Sequence, residues 1–160
     1  MSYSSRLDIS DHVRKTSIAL LQARLSDALD LEAQMKQAHW NVKGRDFYQL
    51  HQLFDSIHGE VEEFVDLLAE RITTLGGVAD GRVQTTAKTT ALYEYPLQSS
   101  SGEAHLKSVA AALGQFGKLV RADIDAATTH GDADTADLFT QVSRENDKQL
   151  WFVEAHLTDG

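Results

Sequence analysis

The sequence predicts an all-α four-helix bundle with one long crossover between its second and third helices. Three observations carry that expectation. Proline occurs once in 160 residues, at Pro96, so little interrupts helix elsewhere. Apolar residues recur at three- and four-residue intervals along most of the chain, the period of one helix face. The connections between these runs are short, long and short in succession. Short links make antiparallel neighbours, and a long one carries the chain from one end of a bundle to the other.

The first helix is expected from about Ser10 to Val42, with Val13, Ile18, Leu21, Leu25, Leu29 and Met35 on its apolar face and Gly44 to end it. Asp46 is placed to cap the second helix. That helix carries Leu50, Phe54, Ile57, Val61, Val65, Leu68, Ile72 and Leu75, and stops at Gly76-Gly77. About 30 residues make it roughly 45 Å long. Residues 77–99 read as irregular, with "TTAKTTAL" as one short extra helix. About 23 extended residues reach roughly 75 Å, ample for a crossover. In "SSGE", Ser100 and Glu103 suit a capping box for a third helix running to about Thr129. "HGDAD" breaks it, and Asp134 is placed to cap a fourth helix ending near Leu157. Four helices with one long crossover are the ferritin-like topology. Residues 1–9 read as a short N-terminal tail and residues 10–160 as one bundle domain.

Composition narrows the function. Cysteine is absent, which excludes disulfides and thiolate metal sites. It also leaves no thiol to oxidise, which suits a protein that handles oxidants. No apolar run is long enough to span a bilayer, and "MSYSSRLDIS" has no signal-peptide core, so a cytoplasmic location is expected. The net charge of −9 and pI near 5.1 favour cations over nucleic-acid phosphates.

Five side chains form the candidate chemistry: His39, His51, Asp55, Asp66 and Glu70. If the first hairpin turns near Arg45, His39 and His51 lie at equal heights and face each other. His51 and Asp55 share one helical face at i,i+4, as do Asp66 and Glu70. Asp55 and Asp66 are eleven positions apart, roughly 16 Å along the axis, while ligand bonds are about 2 Å. One chain therefore cannot close the site. Eleven residues is also close to three full turns, so both halves lie on one face. The pairs His51/Glu70 and Asp55/Asp66 share a midpoint. A two-fold axis there, with two copies antiparallel, builds two identical sites split between subunits, the isologous arrangement common in homo-oligomers. Gly59 lies on the same stripe near that axis and would permit close backbone approach. Imidazole and carboxylate without sulfur suit Fe(II), Mn(II) or Zn(II). Neither HExxH nor the ExxH of the usual di-iron bundle occurs.

At these residues the chain resembles the Dps family, the miniferritins. The likeness rests on "KQAHWNVKG", "LHQLFD", "VDLLAERITTLGG" and the C-terminal "DTADLFTQVSRENDKQLWFVEAH". The resemblance implies a hollow dodecamer with ferroxidase centres at subunit two-folds. There Fe(II) is oxidised by hydrogen peroxide, or O2, and stored as ferric mineral, protecting the cell from oxidative damage. It implies that His39 with the partner's Asp66 and Glu70 makes the tighter iron site and that His51 and Asp55 support the second iron. Histidine-rich sites of this kind could also bind zinc and be blocked by it. Trp40 matches the family tryptophan beside the centre, a radical-intercepting position, and could equally be a packed aromatic; Trp151 matches another, and for it the packed aromatic is the favoured reading. Asp134 and Asp137 match acidic positions around the family's three-fold pores, although a cap and a first-turn acid explain them equally well. The remaining histidines, His12, His58, His105, His130 and His156, are expected at the surface. Many Dps proteins bind DNA through a lysine-rich tail. Here the tail is nearly bare of basic residues, and twelve copies at −9 give a shell near −108, so DNA binding is expected to be weak or absent and nucleoid association is not favoured. The alternatives are a DNA-compacting protein and a non-catalytic, metal-stabilised helical assembly.

Overall fold

Ser10 opens the first helix by accepting the Val13 amide at 3.3 Å, and α1 runs over Asp11–Asn41. The computed structural model describes residues 5–158; the first four residues of the expected tail, with Asp159 and Gly160, lie outside the described residues. Gly44 does not end α1. Buried Val42 does, with φ −61° and ψ 140°, the extended backbone that a β-branched residue favours. Gly44 serves the turn two residues later, at φ +114°.

The second helix, α2, spans Phe47–Thr74 without interruption. Asp46 occupies the cap position but makes no side-chain capping bond, because its backbone (φ −99°, ψ 23°) is not extended. The short helix α3 spans Val83–Thr89, starting and ending earlier than expected. It ends where α1 captures the next residues: the Ala91 amide donates to Asp27 at 2.6 Å, and the Thr90 hydroxyl to Asp30 at 2.7 Å.

The helix α4 covers Gly102–His130. Its cap is Ser101, not Ser100; Ser101 Oγ accepts the Ala104 amide at 3.1 Å, while Glu103 pairs with Lys107 rather than closing a box. Gly131 ends α4 at φ +84°, where a side chain would be strained. The helix α5 covers Ala133–Glu154 and is capped by Asp132, not Asp134. Buried Asp132 accepts from Ser17 Oγ (2.7 Å), Thr135 Oγ1 (2.6 Å) and Arg71 (2.9 Å); Asp134 stays exposed in the first turn.

Helices α1 and α2 form one hairpin, α4 and α5 the other, and α1–α4 and α2–α5 contacts close the bundle. Leu25 and Met35 of α1 meet Phe54, Ile57 and Leu68 of α2, Phe116 of α4 and Phe139 of α5 in a core from which water is excluded; each such side chain contributes about 1.5–3 kcal/mol on burial. The crossover climbs along α1, held mostly by side chains of α1. Gln22 and the Asp80 main chain exchange two hydrogen bonds, Ser26 accepts from Thr89, and Gln34 donates to the Tyr93 carbonyl at 3.0 Å. Beneath it Arg24 bridges Asp27 (3.0 Å) and Asp123 of α4 (2.9 Å) in a buried cluster with one cation for two carboxylates.

Candidate metal centre

The first hairpin brings His39 and His51 together. Their rings stack with centroids 3.6 Å apart and planes 21° from parallel. Nδ1 of His39 lies 2.8 Å from the His51 carbonyl, and Nδ1 of His51 lies 2.8 Å from the His39 carbonyl. The His39 carbonyl is in the last turn of α1, where helix carbonyls lack a main-chain partner. A carbonyl only accepts, so both Nδ1 atoms carry the proton. In the neutral imidazoles each Nε2 then keeps its lone pair, the tautomer a metal needs. Two nearly parallel rings hold these lone pairs in separate planes. An ion about 2 Å from both nitrogens would sit well out of each plane, so the pair suits one ion per ring.

Asp55 follows His51 by one turn, half exposed, with Oδ1 3.8 Å from Nδ1 of His39. It is already engaged by Lys36. The hydrogen bond to Lys36 holds its carboxyl below the usual range, with the Lys36 charge adding to the effect. Further along the same seam Glu32 meets Nε2 of His58 at 3.2 Å. The seam is thus a ladder of paired groups: His39/His51, Lys36/Asp55, Glu32/His58. Sequence reasoning missed Lys36 and left His58 at the surface. Helical spacing was the available signal, since Lys36 is three before His39 and His58 three after Asp55.

Asp66 and Glu70 are exposed on the same unbroken α2, and the structure does not bring them to His39, His51 or Asp55. Among the described residues no three His, Asp or Glu side chains converge on one point. A Cβ added at Gly59 would meet nothing within 4 Å, so that stretch of α2 presents open backbone. Trp40, beside His39, is 68% exposed, and Trp151 is exposed as well. Asp134 and Asp137 are exposed near the α4–α5 turn, Asp134 3.9 Å from Arg71. His105, expected at the surface, is buried. His12 and His130 are exposed and meet edge-on at 6.5 Å.

The family model for the ferritin-like domain matches residues 18–160. A DNA protection during starvation protein of Agrobacterium fabrum is 36% identical over 158 residues, which cover 99% of this chain and 98% of that one. This chain belongs to the ferritin-like Dps family. Solved Dps structures superpose along its whole length. DpsC from Streptomyces coelicolor does so at a TM-score of 0.94 with 32% identity, covering 100% of this chain and 94% of that one. Dps from Mycobacterium smegmatis does so at 0.93 with 29% identity, covering 100% and 96%. The four-helix Dps bundle with its crossover is therefore the fold of this chain. No described helix is long and apolar enough to cross a membrane.

Proposed function

We propose that this Dps-family chain oxidises Fe(II) with hydrogen peroxide, or O2, at sites shared between two subunits of a dodecamer and stores the ferric product inside. The observation that carries the reading is the reciprocal His39–His51 pair, whose Nδ1 bonds free both Nε2 atoms for metal. Asp66 and Glu70 supply exposed carboxylates further along α2, with Asp66 roughly 16 Å beyond Asp55; an antiparallel copy would bring its own equivalents to the histidines. His39 with Asp66 and Glu70 of the partner subunit holds one iron; His51 and Asp55 hold the second, with Lys36 displaced.

The protein's part is placement. Two Fe(II) ions side by side each give one electron to one peroxide. The O–O bond breaks without releasing a hydroxyl radical. With two waters the products are two ferric oxide-hydroxide units and four protons. Trp40 stands beside the centre to intercept stray radicals, and Asp134 and Asp137 line an acidic route that concentrates Fe(II). Zinc, which favours the same imidazole and carboxylate ligands, competes for the site.

The test is to load purified protein with Fe(II), add hydrogen peroxide, and pass it over a sizing column with light scattering and iron absorbance. Iron co-eluting with a particle of twelve subunits is expected. A monomer or dimer free of iron refutes the storage cage.

A further inference from the structure

We propose that Tyr95 and His105 form a buried proton-coupled electron donor. Tyr95 yields one electron to an oxidant of the hydroxyl-radical class while its phenolic proton passes to Nδ1 of His105. Tyr95 sits on the crossover before Pro96, and His105 in the first turns of α4. The hydroxyl oxygen and Nδ1 are 2.6 Å apart, and the two residues are 8% and 1% exposed. Nδ1 of His105 is the partner of the Tyr95 hydroxyl. In the tautomer proposed, the phenol donates to the Nδ1 lone pair and the buried Nε2 carries the other ring proton.

Electron loss alone would leave a positively charged phenol in an apolar site, which is costly. Moving the proton across the short bond avoids that cost. The balance is one phenol, one neutral imidazole and one hydroxyl radical giving a neutral tyrosyl radical, an imidazolium and hydroxide. Burial lowers the His105 pKa, so its lone pair is available at neutral pH. The main chains of Asn41 and Ser99 favour the charged imidazole once it forms. Burial raises the Tyr95 pKa, so the phenol keeps its proton until the electron leaves.

The pair lies behind the candidate metal centre. The His105 ring is 6.4 Å from that of Phe54, the residue before Asp55. Asn41 follows His39 by two residues. A cleft of about 280 Å³ lined in part by Tyr95, Pro96 and Lys107 admits small oxidants. The chain has no cysteine to intercept the oxidant first, and Tyr48 and Tyr93 are exposed to solvent. Nothing in this step needs iron, so it is tested on the metal-free assembly.

The probe is a photogenerated ruthenium tris-bipyridine oxidant, with rapid freezing and electron paramagnetic resonance. A long-lived tyrosyl radical is expected, with a hydrogen-bonded proton on its oxygen that exchanges in D2O. Tyr95→Phe should abolish that signal, and His105→Gln should remove the exchangeable coupling and shorten its life. The triple variant Tyr3→Phe, Tyr48→Phe, Tyr93→Phe leaves the buried pair intact and should keep the signal. Loss of the signal in the triple variant, persistence in Tyr95→Phe, or a wild-type radical without an exchangeable coupling would overturn the proposal.

Discussion

Replacing Asp123 with Asn should stabilise the protein at neutral pH, by an amount that shrinks on acidification. Asp123 and Asp27 share Arg24 in the bundle interior. Burial raises the Asp123 pKa from 3.8 to about 6, against the opposing pull of Arg24 and with Asp27 adding to the rise. A carboxyl whose pKa is higher in the fold than in the unfolded chain favours the fold when protonated. Its contribution is full below about pH 3.8 and is lost as pH rises through about 6. At about 1.36 kcal/mol per pH unit the whole effect is about 3 kcal/mol, of which about 1.4 has returned by pH 5. Asparagine mimics the protonated form in shape. Breaking a buried ion pair ordinarily costs about 3–5 kcal/mol because a charge is left unpaired, but here Arg24 keeps Asp27. Thermal unfolding of the assembled protein and the variant from pH 5 to 7, at equal subunit concentration, measures the difference. The advantage of Asp123→Asn should fall by about 1.4 kcal/mol between pH 7 and pH 5. Carboxylates remote from Asp123, such as Asp132, lowered in the fold, cancel in that comparison. A variant less stable than the parent at pH 7, or a difference that does not change with pH, would refute the reasoning.

Lys36→Met should free Asp55 for metal. An exposed pair is worth about 0–1 kcal/mol, so the weaker metal site should tighten by up to about fivefold with little change in melting temperature; anaerobic Fe(II) or Zn(II) calorimetry would show it, and weaker binding would contradict the seam geometry. His39→Ala and Asp66→Ala should each abolish iron oxidation in homogeneous cages, while mixed cages recover part of it, because one shared site in a mixed pair keeps both residues. No recovery in verified mixed cages counts against a shared site. A gel-shift at low salt and neutral pH should show little DNA retention, given the −9 charge per chain; tight binding would reverse that expectation.

Much of the fold was legible because helix periodicity and turn residues act locally. The apolar stripe of α2 from Leu50 to Ile72 is readable from spacing alone, and so is the alignment of His51, Asp55, Asp66 and Glu70 along it. What escaped depends on neighbours distant in sequence. Ser26, Asp27 and Gln34 look like a solvent face of α1, yet they are buried under the crossover, where their polar atoms hold its residues. His105 looks like a lone polar residue until Tyr95 closes over it. The cap of α5 moved from Asp134 to Asp132 because Ser17 and Arg71, far away in the chain, supply donors to the latter. Helical spacing puts Lys36 and His58 on the seam, but their partners, Asp55 and Glu32, follow only from the hairpin register.

The crossover is fastened largely through its main chain: the Ala91 amide, the Tyr93 carbonyl and both main-chain groups of Asp80 are gripped by side chains of α1. A segment held in this way leaves most of its own side chains uncommitted. Val83, Tyr93 and Leu97 are exposed and can be exchanged with little effect on how the segment is anchored. Residues Ser26, Asp27 and Gln34 have no such latitude. Mutational drift should therefore concentrate on the outer face of the crossover, while the inward-facing polar residues of α1 tolerate few replacements.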